Sequence, residues 1–536
     1  MLGADATPVT SEYNDSWSSS VRRQLESNNI SRRRGTQSAR LRFVQAEPIR
    51  KHATDMSLQT VTRPPFGGDS DHPAGAPVLS PGRNCGRIAR ARRAAILIDA
   101  SDYFFWLEQA LARAERSILI VGWDFDGRIR LCPANSDCPP LGKFLRGLVE
   151  RRPELRIRIL VWSGAVVHTP GDSVPLLFGA DWLEHPNITL RLDQHHPLYA
   201  SHHQKIVVID DRLAFTGGID LTVERWDTCG HAEQDQIRVR PDGAQYRPVH
   251  DVQMLVDGEA AAAIGDVVRH RWLIGTGECL GPVEDTGNSW PPDLRPDFSD
   301  VDIGIARTVP AWRQTHSIHE IARLTEDMIS AARHSLYVES QYLAASNVRR
   351  VITKMLATRR GPEIVMVVRR ASPGVLERFV MANNRDRMIR HLRRADLHGR
   401  LRIYYPVVDG QEGACEVLVH SKVLIVDDRL MRVGSSNLNN RSMGLDTECD
   451  LVIEAANTEH RSKIADIRDR LLAEHLGVTS DMISSVIVRT GSLIRGIDAC
   501  NINARGLRPF PETNLGGPTE PIAVTGLMDP PRPLPL

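Results

Sequence analysis

The stretch YASHHQKIVVIDDRLAFTGG at residues 199–218 returns as VLVHSKVLIVDDRLMRVGSS at 417–436, and this repetition decides the fold. His420 follows His203 by 217 positions (420 − 203). Upstream, SILIVGW from Ser117 is matched by SLYVESQY from Ser335, at an offset of 218 (335 − 117). Two separate blocks with nearly one offset point to duplication of a whole domain. Each copy also carries a helical stretch before its first strand. Phe104, Leu107, Leu111 and Ala114 share one face between Ser101 and Arg116, and Ile318, Ile321, Met328 and Ala332 mark its counterpart. Further strand patterns, RIRILVW at 156–162 and EIVMVV at 363–368, alternate with helical ones. The order predicts an α/β class fold: two repeated α/β/α sandwich domains with mixed sheets, packed pseudo-symmetrically around one active site.

Within each repeat the chemistry sits at one end of an apolar strand. His203 and Lys205 precede IVVI, and His420 and Lys422 accompany VLIV. Residues i and i+2 of a strand share a face, so each imidazole lies on the same surface as its own ammonium. Asp210 and Asp427 close the two strands. Small pairs follow, Gly217-Gly218 and Gly434-Ser435, where a ligand oxyanion is expected to approach the backbone. Asp220 and Asn437 come next at equivalent positions. Two histidines suit in-line displacement at phosphorus, one as nucleophile and one as acid. Lys205, Lys422 and Asn437 are expected to stabilise charge on the non-bridging oxygens. A single His-x-Lys is more often a solvent-facing strand pair; the second copy, with the same Asp spacing, is what favours a site. His195, His196, His202 and His203 lie close enough to raise a metal reading, yet no Cys or carboxylate ligand stands at short fixed spacing and the second half has no such cluster. No metal ligand and no cofactor is expected.

These residues resemble the phospholipase D superfamily over roughly 95–480, through two complete His-x-Lys-x4-Asp motifs. GGIDLTVERWDT at 217–228, His250-Asp251, YVESQYL at 337–343 and the run from Asn437 through Arg441, Ser442 and Asp446 to Glu448 are similar to segments of its eukaryotic-type, phosphatidylcholine-cleaving branch. The resemblance implies that His203 is a nucleophile forming a phosphohistidine and His420 the acid, then the base for water or a second alcohol. It implies that Asp251 holds the far nitrogen of His203 and Glu448 that of His420, and that Asp210 and Asp427 support the scaffold. Asp220 stands where many members have Asn, so it either turns toward Lys205 or weakens phosphate binding in that half. The implied activity is hydrolysis, and in part transphosphatidylation, of phosphatidylcholine-like lipids at a membrane or micelle surface. A nuclease, a cardiolipin synthase-like transferase and a catalytically inactive phosphate-binding scaffold are the competing readings.

The chain has 536 residues, 41% hydrophobic and 25% charged, with 67 basic and 66 acidic side chains and a net charge of +1. That composition suits a core-forming protein of two or three domains. The charge balance argues against a broad basic track, so no stable nucleic-acid partner is expected. No apolar run approaches the ~20 residues of a membrane span, and the N-terminus lacks the pattern of a secretory signal. The expectation is a soluble or peripheral protein, not integral to the membrane, cytoplasmic or exported without a Sec-type signal, for which a monomer suffices. Residues 1–85 read as a disordered leader, 86–280 and 301–480 as the two halves, 281–300 as their linker, and 481–536 as a Pro-rich tail. VPLLFGADWL at 174–183 fits a buried helix better than a lipid-facing loop. Cys132 and Cys138 flank a turn and read as ordinary thiols.

Overall fold

The computed structural model describes residues 76–165, 179–283, 287–313, 315–370, 382–511, 515–521 and 529–532. In the first half the strands are β1 (Arg87–Ile98), β2 (Ser117–Gly122), β3 (Arg156–Trp162), β4 (Ile188–Asp193), β5 (Ile206–Ile209), β6 (Leu213–Gly217) and β7 (Val252–Asp257). The second half repeats them as β8 (Phe298–Val309), β9 (Ser335–Ser340), β10 (Glu363–Val368), β11 (Leu401–Gly410), β12 (Lys422–Val426), β13 (Leu430–Gly434) and β14 (Glu448–Glu454), with β15 (Gly506–Pro509) added at its edge.

Each half is a mixed sheet in the order β4-β3-β2-β5-β6-β7-β1 or its equivalent β11-β10-β9-β12-β13-β14-β8. The sheets are not merely packed together. β1 pairs antiparallel with β8, from Arg87↔Ile305 to Ala94↔Phe298, so the two halves are fused edge to edge at their pseudo-twofold axis. Helices α1 (Asp99–Leu111) and α2 (Leu141–Arg151) bury their apolar stripes on one face of the first sheet. Helices α3 (Gly258–Thr276), α8 (Thr458–Leu476), α9 (Ser480–Thr490) and α10 (Leu493–Cys500) cover the common face of both sheets. In the second half α4 (Glu320–Ala331), α5 (Ser346–Ala357) and α6 (Asn383–Ala395) form the outer layer, and α7 (Asn440–Gly444) is a single short turn. Both α3 and α8 stop at a left-handed glycine, Gly277 (φ 78°) and Gly477 (φ 65°), a conformation that costs glycine least.

Three boundaries differ from the sequence reading. The predicted linker 281–300 ends inside a strand, because β8 begins at Phe298 and its alternating apolar residues complete the sheet against β1. The predicted tail 481–536 begins with α9 and α10, whose Ile483, Val486, Ile487, Leu493, Ile494 and Ile497 form one buried stripe, and it continues into β15. The prolines further on hide that helical period. Residues 76–85 of the predicted leader are held in place, with Val78 and Leu79 donating backbone N–H to the Glu454 carboxylate at 3.0 Å; residues 1–75 lie outside the described residues. Of the 174–183 segment, 174–178 also lie outside them, and Trp182 packs on the first-half core. Among the described residues no single helix is long and apolar enough to cross a membrane.

The motif aspartates build the hairpins rather than the site. Asp210 and Asp211 adopt φ 51° and 53°, and Asp427 and Asp428 adopt 52° and 50°, the left-handed pair that a tight hairpin turn needs. The Asp210 carboxylate accepts from the backbone N–H of Glu115, Arg116 and Ser117, each at 2.7 Å. Asp427 does the same for Arg333, His334 and Ser335 at 2.6–2.8 Å. Each thereby caps the start of the neighbouring strand, β2 or β9. Asp210→Ala strips a charged acceptor from three donors and should cost about 2–4 kcal/mol, read as a fall in the urea midpoint at constant m-value.

Candidate active site

His203 and His420 stand just before β5 and β12, where the two halves meet. Backbone pairing across the halves sets them there: His203 N–H donates to Thr447 O at 2.9 Å, and His420 N–H to His250 O at 2.8 Å. Thr447 precedes Glu448, and His250 precedes Asp251. Each histidine is therefore stitched to the carboxylate-bearing segment of the opposite half. His203 Nδ1 lies 3.1 Å from Glu448 Oε2, and His420 Nδ1 lies 2.6 Å from Asp251 Oδ2. This reverses the expected pairing of Asp251 with His203 and Glu448 with His420. The physical reason is the inter-half main-chain ladder, which no spacing within one half reveals.

The two rings differ in what faces Nδ1. His203 Nδ1 also lies 3.0 Å from the carbonyl oxygen of Ser435. A carbonyl only accepts, so Nδ1 carries the hydrogen and Nε2 keeps its lone pair. His420 Nδ1 instead faces the Asp251 carboxyl and, at 3.2 Å, the Lys422 ammonium. Burial, then the charges of Lys205 and Lys422, holds His203 well below the usual histidine range. Burial, Lys422, Arg225, Lys205 and His203 do the same to His420. Both lysines act on both rings, which marks one shared electrostatic site. Burial, with Lys205 nearby, lowers Lys422 to about 7 against the opposing pull of Asp251. Burial also pushes Glu448 up to about 8, although the hydroxyls of Ser435 and Ser442 donate to it.

Asp220 turns toward Lys205, 2.9 Å from its Nζ, and also accepts the Trp123 N–H at 2.8 Å. Asn437 is buried with its Oδ1 unbonded. The small pairs do not cradle a ligand. A Cβ on Gly217 would meet Gln253 Oε1 at 2.3 Å, and one on Gly218 would meet Asp251 Oδ1 at 2.0 Å. These glycines make room for the neighbouring strand and for the carboxylate that holds His420. In the second half Ser435 donates its hydroxyl to Glu448 instead. The clustered histidines take different polar partners: His202 accepts from Arg271 at 2.7 Å, His195 meets Thr315 at 3.3 Å, and His196 meets Ser163 at 3.0 Å, while the His196 and His202 rings stay edge to face with centroids 5.3 Å apart.

Three contributors escaped the sequence reading. Trp123 sets its indole edge to the His203 ring, 6.4 Å between centroids, and stacks on Trp162 at 5.8 Å. Arg225 bears electrostatically on His420. Gln341 accepts from Lys422 at 3.5 Å. Arg225 and Gln341 sit within GGIDLTVERWDT and YVESQYL, and only their geometry brings them to the site.

Comparison with known proteins finds matches over both halves. The family model described as "Phospholipase D" matches residues 110–286, and that described as "Cardiolipin synthase, PLD-like domain" matches 326–470. Phospholipase D1 of Schizosaccharomyces pombe is 24% identical over 72% of this chain and 35% of its own length. Phospholipase D alpha 4 of Arabidopsis thaliana is 22% identical over 73% and 65%. The chain thus spans about a third of the S. pombe protein. A solved phosphatidylserine synthase of Haemophilus influenzae shares the fold, with TM-score 0.51 and 11% identity over 77% of this chain and 98% of its own.

The crossed contacts make a direct prediction. In side-chain nitrogen NMR, Asp251→Asn should shift the imidazole signals of His420 and leave those of His203 in place, while Glu448→Gln should do the reverse. The opposite pattern would restore the uncrossed pairing.

Proposed function

Because the chain belongs to the phospholipase D superfamily, we propose that it is a phospholipase D that hydrolyses the distal phosphodiester of phosphatidylcholine-like lipids. The products are phosphatidic acid and the head-group alcohol. The observation that carries the reading is the unequal hydrogen bonding of two imidazoles in one charged pocket. His203, with Nδ1–H committed to Ser435 and Glu448, offers a free Nε2 lone pair for attack on phosphorus. His420, with Nδ1 facing Asp251 and Lys422, presents Nε2 as the proton donor to the departing alcohol. A P–N bond forms as the P–O bond to the head group breaks, and the alkoxide takes the His420 proton. In the second step His420 deprotonates water, which attacks phosphorus as the P–N bond to His203 breaks, releasing phosphatidic acid and the free imidazole. Another alcohol in place of water gives transphosphatidylation. Lys205, Lys422 and Asn437 serve the non-bridging oxygens.

A phosphatidyltransferase is the second reading, favoured by the cardiolipin synthase description of the model that matches 326–470. Incubation of the chain with a panel of phospholipids and ethanol separates the cases. Phosphatidic acid and phosphatidylethanol from phosphatidylcholine support the proposal, and cleavage of DNA without lipid turnover would overturn it.

The division of labour is testable by leaving group. His203→Ala should abolish both turnover and covalent labelling. His420→Ala should lose about 10²–10⁴-fold on a choline lipid, yet far less in the first step with a p-nitrophenyl phosphodiester, whose leaving group needs no proton. Rapid-quench labelling that traps phosphate on His420 in the His203→Ala chain would reverse the roles. The pH profile follows from the depressed histidines. His203 is neutral above its lowered pKa, so kcat/KM for the p-nitrophenyl ester should show no loss as pH falls through 6.5, the ordinary histidine value, where Lys422 gains its charge. It should drop only at more acid pH; an acid limb already complete above 6.5 would contradict a neutral nucleophile.

A further inference from the structure

Three residues of the quoted segments take no part in the proposed reaction and meet in a cluster of their own. Asp227 of the RWD segment, His250, and Glu339 of the YVES segment converge with Asp99, His231 and Glu474 in a buried cluster. At its centre His250 Nδ1 lies 2.7 Å from Glu474 Oε1 and 3.1 Å from Asp99 Oδ1. His231 Nε2 lies 3.0 Å from the same Glu474 oxygen and 3.6 Å from Asp99 Oδ2. The ligand atoms of Asp99, His231, His250 and Glu474 all lie within 4.8 Å of one another. We propose that these four residues form a closed, four-coordinate site for a divalent transition ion of the zinc type.

Three observations support it besides the residue types. First, tetrahedral zinc with bonds of about 2.0–2.1 Å places its ligands about 3.3 Å apart, near the four separations above. Second, each histidine has its far nitrogen held by a separate carboxylate: His250 Nε2 by Glu339 at 2.9 Å and His231 Nδ1 by Asp227 at 2.9 Å. That outer ring is the arrangement that fixes the tautomer of metal-bound imidazoles. Its members are anchored in turn, Asp227 by Arg238 at 3.0 Å and Glu339 by the Tyr337 hydroxyl at 2.6 Å. Third, His250 Nδ1 is fully buried and makes no hydrogen bond of acceptable geometry, although two carboxylate oxygens flank it, and Asp99 Oδ2 makes none either. A ring nitrogen within 3.1 Å of two carboxylate oxygens, yet bonded to neither, is suited to sharing an ion with them. Asp99 reaches the cluster with φ 64°, a left-handed conformation that a non-glycine residue keeps only where its surroundings demand it.

The charge balances. Binding of one divalent ion displaces two protons, one from each imidazole, and leaves the net charge of the cluster unchanged. With four protein ligands there is no open position for water, so the ion's role is structural. Asp99, His231 and His250 belong to the first half and Glu474 to α8 of the second. Asp99 N–H donates to Asp251 O at 2.8 Å, so the ion would pin the backbone that presents Asp251 to His420.

Elemental analysis of the full-length chain, after passage over a chelating resin, should find about one zinc per chain. His231→Gln and Glu474→Gln should each reduce it to less than about a tenth. Because either variant can misfold, the wild type is also tested: unfolding in guanidinium with a chromogenic chelator should release the ion, and refolding with Co²⁺ should give the intense visible absorption of tetrahedral cobalt. A folded, metal-free wild type whose Tm is unmoved by Zn²⁺ or Co²⁺ would overturn the proposal in favour of a pair of protonated histidines. Zinc retained by both variants would place the ion elsewhere and overturn it equally.

Discussion

Everything at the candidate site depends on two contacts that cross between the halves, His203 with Glu448 and His420 with Asp251. A carboxyl buried without its partner costs several kcal/mol, so neither half can keep its own carboxylate in place alone. The contacts are feasible only because the strands are fixed first. Pairing of β1 with β8 fuses the sheets, and short parallel pairing of Val249–His250 with Leu418–Val419 carries His420 to the first half. Covalent repetition supplies the parts, and the backbone ladder between repeats decides which part serves which.

How much of this could be read in the sequence follows from the range of each interaction. The hairpins β5–β6 and β12–β13 are local and strongly patterned, and the Asp-Asp-Arg turns were visible as turns. The layered class and the repeat followed from alternation and offset. The crossed pairing was not legible, because its partners lie 245 and 169 residues apart, and no periodicity encodes such a contact. Gly217 and Gly218 were seen as small but assigned to a ligand, since sequence shows the missing side chain and not the neighbour that fills its space. Helices α9 and α10 were lost to the composition of the prolines that follow. The buried cluster around His250 is out of reach for the same reason as the crossing: apart from Asp227 and His231, its residues are far apart in a span from Asp99 to Glu474.

A net charge of +1 conceals strong internal electrostatics. Lys205 and Lys422 are both buried and act on the same two imidazoles. Lys205 has Asp220 as a neutralising partner, while Lys422 shares its surroundings with Asp251 and is lowered to about 7. On the proposed mechanism, a phosphodiester brings the anion that this half-compensated pocket lacks. It would restore the charged form of Lys422 and favour the protonated form of His420, so that the proton needed by the leaving group becomes available when the substrate is in place. The rest of the buried charge is paired off from the pocket, as with Asp211 on Arg269 at 2.6 Å and its second-half counterpart, Asp428 on Arg468.

Duplication alone would give two equivalent histidines, which only the orientation of an asymmetric substrate could divide between attack and protonation. The departures from symmetry are what separate them. Where the first half has Gly218 and the short Asp251, the second has Ser435 and the longer Glu448. The extra methylene brings Glu448 within reach of the hydroxyls of Ser435 and Ser442, and the Ser435 carbonyl then fixes a hydrogen on His203 Nδ1. The bare Gly218 gives Asp251 room to approach His420 at 2.6 Å with Lys422 beside it. Asp220 against Asn437 continues the pattern: the carboxylate neutralises the lysine beside the free-base imidazole, and the neutral amide leaves the opposite lysine free to meet substrate charge. On the proposed mechanism, one methylene, one hydroxyl and one carboxylate-for-amide exchange are what bias one histidine toward attack and the other toward protonation.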